Sequence, residues 1–540
     1  MRPENKERKI ITTSPWSPFQ YPIFKILWIS STISNIGTWL HDVGAAWLMT
    51  ILTNNPMWVA LIQVATSLSI FLLALPGGAL ADILDRRIYL ISLQTFMMTV
   101  AGALALTTFY GKTSPELLLF LTFFLGIGAA LSTPTWLALM SELVPSTELP
   151  PAVTLVSLSI NLSRAIGPAL GGIIIAAAGP AAVFALNALS FFAIIISLFG
   201  WQRPPSESML PAERLFGAMR AGIRYVRGSP AFQTLLLKSS AFFIFASSVW
   251  ALLPLVARST LHSGPMGYGV LFACFGSGAV LGTVILPKFR EKLICDQLIV
   301  IGAMGFAVTT FILSLSSIFY FACGGMVLGG ISWTLVLVTL TTLIQQVVSA
   351  WVRARALAIF LAVFFGGMAM GSILWGWIAS HFTISLSLFV AALGLVIANF
   401  LTYVFTSGQQ LITDLTPTGH LPAPLTEEKP KHGQGPVMVT IEYSIHQQQA
   451  EEFYLVMQEL RLIRLREGAF FWALFQDIEE RKKFVECFMV ESWLDHLRQH
   501  ERIAVTDRDI QQKASAYHQG KNPPRTTHFV AFDMPKKKRL

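Results

Sequence analysis

The chain has 540 residues, 54% hydrophobic and 13% charged, about half the charged fraction of an ordinary soluble domain. Single aqueous cores stop growing near ~250–300 residues, so this much apolar surface excludes a soluble enzyme, a disordered chain and a secreted disulfide scaffold, and leaves lipid as the solvent. The net charge of +9 sits almost wholly in residues 1–424, with 21 Lys+Arg against 13 Asp+Glu, while the last 116 residues carry 18 against 17; basic residues on the apolar part fit the positive-inside rule and argue against a nucleic-acid partner.

Residues 1–22 are polar and read as a cytoplasmic N-terminal segment without a cleavable signal. A bilayer span needs ~20 apolar residues. By that measure the chain holds twelve spans, near 23–52, 57–80, 88–110, 116–140, 152–178, 180–200, 232–260, 267–289, 296–318, 319–347, 356–380 and 383–406. The break between spans nine and ten rests on Ser316, Ser317 and Tyr320. With the N-terminus inside, the inner segments hold sixteen basic residues, from Arg2 to Arg355, and the outer ones little beyond Lys112 and Arg258. This alternation needs an even span count and puts both termini in the cytoplasm.

The long inner segment 201–231 divides the spans into an N-terminal six-helix half, 23–200, and a C-terminal half, 232–408. Its five arginines and the apolar positions from Leu215 to Val226 predict an amphipathic helix along the membrane surface. Six plus six predicts parallel repeats with a substrate path between them.

Residues 409–436, rich in Pro, Gly and Thr, read as a linker. In 437–540 the pattern runs strand (437–443), helix (447–466), strand (469–476), strand (484–490), helix (492–502) and strand (527–532). That β-α-β-β-α-β order predicts a ferredoxin-like cytoplasmic domain. The expected fold class is therefore an all-α membrane protein of twelve helices carrying a small α+β domain. Cys274, Cys295, Cys323 and Cys487 are scattered, and His496 and His500 lack a carboxylate between them; neither a metal nor another cofactor is expected. No G-x-x-x-x-G-K-[ST] loop is present, which argues against ATP as the direct energy source.

Four stretches carry a family resemblance. Gly78-Ala79-Leu80-Ala81-Asp82-Ile83-Leu84-Asp85-Arg86-Arg87 resembles the G-x-x-x-D-R-x-G-R-R loop of the major facilitator superfamily, with Ile83 and Asp85 as departures. Gly167-Pro168-Ala169-Leu170-Gly171-Gly172 is similar to the exporter motif of that superfamily. Trp351–Ala358 and the tail stretches Arg464–Trp472 and Trp493–Arg502 resemble its transmembrane secretion effector branch, which includes enterobactin-exporter-like proteins. The resemblance implies a bacterial inner-membrane exporter of siderophores or drug-like compounds working by alternating access. Importers share the fold, and a membrane-tethered enzyme or sensor acting through the tail is the rival from another class, although one anchor would suffice for that.

The resemblance implies a cytoplasmic gate at Gly78, Asp82, Arg86 and Arg87, with Glu142 at the inner end of span four and Arg353 on the facing half; the alternative is that the arginines only fix topology. Gly167, Pro168, Gly171 and Gly172 are expected to form a pivot in span five, or else plain close packing. Arg164 falls ~18 Å into span five, where a bare charge is costly, so it is expected to face a cavity or a carboxylate. Asn161 lies one turn earlier, and Asp42 in span one is the counter-charge nearest in depth; an Asp42 that takes up a proton would couple export to proton entry, whereas a static pair would not. Asn35, Trp39, Gln63 and Trp333 are candidate cargo contacts, and Lys238 is expected to snorkel to the headgroups. The expected partners are a small-molecule substrate, the lipid bilayer, protons and a second copy paired through the C-terminal domain.

Overall fold

The computed structural model describes residue 14 and residues 16–201, 225–226, 228–349, 352–406, 434–502 and 505–531. The expected amphipathic helix in the inter-half segment, and the side chains of Gly78, Asp82 and His500, lie outside the described residues.

Twelve long helices follow one another: α1 (Pro22–Leu52), α2 (Pro56–Ile83), α3 (Arg86–Phe109), α4 (Pro115–Leu143), α5 (Leu149–Ala178), α6 (Pro180–Phe199), α7 (Pro230–Leu255, continued by a π turn Val256–Thr260), α8 (Pro265–Arg290), α9 (Cys295–Leu315), α10 (Phe319–Val347), α11 (Arg353–His381) and α12 (Ile384–Thr406). Six of them begin on proline, whose fixed φ suits a first helical turn and whose missing N–H is not needed there. Asn55, Asp85 and Ser114 cap the next starts by accepting the Met57, Ile88 and Leu117 amides at 2.9, 3.0 and 3.3 Å. Asp85 thus earns its place in the α2–α3 loop as a helix cap. Among the described residues eleven helices are long and apolar enough to cross a membrane. The exception is α1, which is interrupted by Lys25, His41, Asp42 and a run of Ser and Thr.

The break between spans nine and ten is real: α9 ends at Leu315 and the Ile318 amide bonds the Ser316 hydroxyl at 3.2 Å, although Tyr320 belongs to α10 rather than to the turn.

The described chain falls into two compact units. The first holds most of the helical bundle, with α1 against α5 and α6, α2 against α4, α3 against α6, and α5 against α8. In it Trp333 of α10 is ringed by Phe242, Phe243, Phe275, Phe306 and Phe364, at centroid distances of 5.6–6.1 Å. Lys238 corrects the snorkelling expectation. Only 5% exposed, it bonds Asp296 Oδ1 at 2.8 Å, tying α7 to the first turn of α9. A buried ammonium next to a carboxylate gains more from that partner than from stretching to a headgroup.

The second unit contains the C-terminal domain together with the chain around 225–237 and 340–360. Its elements are β1 (Val437–Ser444), α13 (Ala450–Arg466), β2 (Phe471–Gln476), β3 (Lys483–Val490), α14 (Trp493–Arg502), α15 (Val505–Ala516) and β4 (Arg525–Val530). All pairings are antiparallel in the order β2-β3-β1-β4, the ferredoxin-like topology. Helix α15 is an addition to the expected pattern. One sheet face is covered by a core in which Phe453, Met457, Leu460 and Ile463 of α13 meet Tyr443, Phe484 and Ala514. Glu486 is wholly buried there, held by Arg464 Nε at 3.0 Å, the Trp472 indole at 3.0 Å and the Tyr443 hydroxyl at 3.4 Å. Burial, reinforced by the neighbouring carboxylate, pushes the Tyr443 hydroxyl pKa up, and the same carboxylate, despite the burial that opposes it, raises that of Arg464.

Candidate functional site: a central aromatic cavity

A cavity of about 290 Å³ opens in the helical bundle, walled by α1, α2, α5, α7, α8, α10 and α11. Helical period sets which residues reach it. Trp39, Asp42, Val43 and Ala46 are spaced three to four apart and form one stripe of α1; Val59, Ile62, Gln63, Thr66 and Ile70 do the same on α2. Trp250, Tyr268, Phe272, Trp333, Phe364 and Phe365 supply an aromatic wall. Trp250 lies 5.4 Å from both Phe272 and Trp333 and 6.5 Å from Trp39, and Tyr268 stacks on Trp47 at 6.1 Å.

Against this wall stand few polar groups. The Arg164 guanidinium lies over the Trp39 ring, 5.9 Å from its centroid, a cation–π contact. Its Nε is buried with no hydrogen-bond partner, as is the Trp250 indole N–H. Asp42 lines the same cavity, yet no ion pair joins it to Arg164; among the described residues the expected counter-charge shares the cavity without touching the cation. Gln63 lines the wall too, with its amide donating to Ser67 at 2.9 Å. His41, beside Asp42 in sequence, turns instead to Phe184 of α6, 5.2 Å away.

Two of the expected path residues are elsewhere. Asn161 donates to the Ser157 carbonyl of its own helix at 3.0 Å and is not on the cavity wall, since one helical turn from Arg164 also moves it around the α5 surface. Asn35 lines a second cavity, with Ser159.

The gate residues fall into separate contacts. Arg86 Nη1 bonds Glu142 Oε1 at 2.7 Å, linking the start of α3 to the last turn of α4. Arg87 donates to the Leu198 and Phe199 carbonyls at 3.0 and 2.7 Å, placing a cation on the carbonyl end of α6. Both contacts stay within the N-terminal half. Arg353 opens α11 and is exposed.

The span-five motif sits at two helix crossings. A β-carbon on Gly167 would fall 2.5 Å from that of Trp39, and one on Gly172 would fall 2.6 Å from the Pro265 carbonyl oxygen; Gly171 has only ordinary contact with Val43 at 3.4 Å. The facing residues on α8 are glycines as well: a β-carbon on Gly269 would meet the Pro168 carbonyl at 2.6 Å, and one on Gly276 the Ala165 Cα at 2.9 Å. Backbone thus meets backbone along α5–α8, a small-residue crossing typical of membrane helices. The reading of the sequence overlooked α8, although Gly269 and Gly276, two turns apart on one face, carried the signal. Trp250 and Tyr268 were also overlooked, because an aromatic in an apolar span gives no sign of which way it faces.

In the C-terminal domain, His496 stacks near Trp493 and His528 at 5.4 and 4.8 Å. Among the described residues no three His, Cys, Asp or Glu side chains gather as metal ligands.

Twelve long helices around an aromatic cavity that holds a lone arginine and a lone carboxylate define a multi-pass membrane transporter of the major facilitator fold. The fold matches solved structures at low identity: a bacterial homologue of the human lysosomal transporter Spinster, in an inward-facing and occupied conformation (TM-score 0.58, 16% identity, 73% of this chain and 97% of that one), and a D-xylose–proton symporter (TM-score 0.55, 16% identity, 70% and 97%). The transmembrane secretion effector family model matches residues 13–536, and the chain belongs to that family. It is similar to the staphyloferrin A transporter of Staphylococcus aureus, 24% identical over 271 residues that make up 49% of this chain and 66% of the relative. It is also similar to the enterobactin exporter EntS of Salmonella typhimurium, 25% identical over 384 residues, 71% of this chain and 91% of the relative. The protein is thus a transporter that takes a small-molecule substrate across a lipid bilayer, and not an enzyme.

Proposed function

We propose that the protein exports amphipathic, siderophore-like small molecules from the cytoplasm by alternating access, driven by proton entry, in a bacterial inner membrane with both termini cytoplasmic. The observation that carries this reading is Arg164: a cation on the wall of an aromatic cavity, over Trp39 and with no carboxylate against it. Holding a charge so deep is costly unless a ligand supplies the opposite one. An anionic cargo with flat rings answers both features, the anion at Arg164 and the rings between Trp39, Trp250 and Phe272. The relatives that export enterobactin and transport staphyloferrin A are consistent with such a cargo.

Asp42 supports the coupling. It faces the same cavity unpaired, so it can take a proton from one side of the membrane and lose it to the other as access alternates. The Arg86–Glu142 pair, with Gly78, Asp82, Arg87 and Arg353, is assigned to the cytoplasmic gate, and Gly167, Pro168, Gly171 and Gly172 to the pivot of α5 between α1 and α8.

The test is uptake of enterobactin into inside-out vesicles bearing an imposed pH gradient. Uptake should require the gradient. Arg164→Met should weaken apparent affinity by about tenfold or more, the usual scale for a hydrogen bond to a charged group. Asp42→Asn should abolish the dependence on the gradient. Wild-type affinity in Arg164→Met would remove the anion-site reading, and an unchanged gradient dependence in Asp42→Asn would remove the coupling.

A further inference from the structure

Three contacts between the two halves lie at one end of the bundle, where α1, α5 and α11 finish and α2 and α8 begin. Under the orientation proposed above this is the outer end. The first contact is the approach of Gly172 of α5 to Pro265 and Gly269 of α8. In the second, a β-carbon on Gly376 of α11 would fall 2.5 Å from that of Ala60 of α2 and 3.3 Å from the Met57 sulfur. The third is aromatic. Trp47 of α1 stacks on Tyr268 of α8, with centroids 6.1 Å apart and ring planes 26° from parallel.

The first two contacts are close approaches of small residues outside the lining of the aromatic cavity. The stack differs, because Tyr268 is part of the cavity wall and Trp47 backs it, the two being 2% and 6% exposed. Pro265 stands one helical turn before Tyr268, so the glycine contact on α5 also sets where the Tyr268 ring can sit. From Tyr268 the rings continue inward. Phe272 meets it edge-on at 5.2 Å, and Trp39, which carries the Arg164 guanidinium, follows at 6.4 Å. A column of rings thus leads from the outer end to the proposed anion site, with α1 supplying both ends and α8 the middle.

The outer portions of these helices, residues 43–52, 56–66, 165–178, 265–287 and 368–380, hold no Lys, Arg, Asp or Glu. A charged latch of the Arg86–Glu142 kind has no members there. Closure by these helices therefore rests on apolar burial, dispersion and ring stacking. Asp42 lies five residues before Trp47 on α1 and lines the same cavity.

We propose that the Trp47–Tyr268 stack is the exit gate of this transporter, an uncharged aromatic seal between α1 and α8 that closes the outer side of the cavity and parts when cargo leaves. Tyr268 is the positioning residue: its ring is at once the end of the cavity wall and the partner of Trp47. The inference deepens the transport reading and rests on it for the direction in which the gate opens.

The experiment places a reporter in the cavity wall, Ala46→Cys in the full chain with its four native cysteines changed to Ser. A charged, membrane-impermeant methanethiosulfonate labels it in right-side-out and inside-out vesicles without cargo. With the stack intact, labelling from the outside should be slow. Tyr268→Ala should speed it about tenfold or more, because an aromatic pair adds its own attraction to the area it buries. Tyr268→Phe keeps the ring and should return the slow rate. Raising the salt from about 0.05 to 1 M shortens the screening length to ~3 Å and should leave the seal in place. An equal rate in the intact protein and Tyr268→Ala, a fast rate in Tyr268→Phe, or an intact stack that opens in high salt overturns the proposal. If Tyr268→Ala does not fold, Trp47→Ala is read by the same criterion. Acceleration in inside-out vesicles alone overturns the exit assignment together with the orientation. Labelling needs no cargo, so a seal that behaves as stated in a protein that does not take up enterobactin supports the gate and removes only the siderophore reading.

Discussion

Single residues do different work here from what their types suggest. Lys238, Arg86 and Arg87 are all cations near helix ends, yet one pairs with a buried carboxylate, one bridges α3 to α4 and one caps α6. Arg164, by contrast, faces the aromatic cavity. In the C-terminal domain the charge that matters is Glu486, wholly buried against Arg464. Removing one member of such a pair strands the other, so Arg464→Met should cost about 3–5 kcal/mol, and Glu486→Leu in the same background should recover part of it. Amide exchange in β1 and β3 is the measurement. His528 makes a pH prediction. Partial burial beside His496 lowers its pKa below the ordinary 6.5. The unfolded chain therefore binds the proton first, and as pH falls from 6.5 toward the depressed folded value the domain loses stability that is fully present above 6.5. Acid titration of β4 protection in wild type and His528→Gln checks this; the variant should show the smaller loss.

At the scale of elements, the α5–α8 crossing separates two neighbouring glycines. Gly172→Ala places a methyl 2.6 Å from a backbone carbonyl and should slow transport severely, whereas Gly171→Ala, with 3.4 Å to a side chain, should be tolerated. Equal effects of the two substitutions on vesicle uptake would show that approach distance is not the cause. A second junction lies in the other unit. The Tyr225 hydroxyl donates to the Val347 carbonyl at 3.3 Å and accepts the Ser349 amide at 3.2 Å, and a β-carbon on Gly228 would meet the Arg466 backbone nitrogen at 2.7 Å. Arg466 in turn bonds Asp507 at 2.5 Å and Glu467 at 3.3 Å, carboxylates that raise its pKa against the effect of burial. The start of α7 and the end of α10 are thus built into the same compact unit as the ferredoxin-like domain. Tyr225→Phe loses both bonds and should speed exchange of the Ser349 amide about fivefold, the scale of one net hydrogen bond. Helix α15 belongs to this scale too. Its sequence is polar almost throughout, and Ile510 and Ala514 make too short a stripe to announce a helix until α13 lies beside them.

The whole molecule joins twelve long helices to a small α+β domain. The enterobactin relative aligns with 71% of this chain, and the solved structures with about the same share. One face of the domain's sheet carries α13 and α15; on the other, Phe471, Met489, Met438 and Phe529 form a single cross-strand row, with Phe471 and Phe529 exposed. The pairing of two copies expected from the sequence would fall on this face. Phe471→Glu with Phe529→Glu should reduce a dimer in detergent to a monomer while leaving vesicle uptake of enterobactin measurable. An unchanged mass would place any pairing elsewhere.

What the sequence determined by itself was whatever repeats along the chain. Twelve apolar stretches, prolines at helix starts, the arginine asymmetry and the alternation of the tail are local signals, because a lipid solvent and a backbone that must bond to itself act on each segment separately. The tertiary structure alone decided which side of each rod meets another. That Asp42 and Arg164 share a cavity unpaired, that Asn161 turns away, that Lys238 finds Asp296 and that glycines of α8 receive α5 all depend on helix rotation and crossing. Every face of a membrane helix is apolar enough to suit the lipid, so composition leaves rotation open and only packing against neighbours settles it.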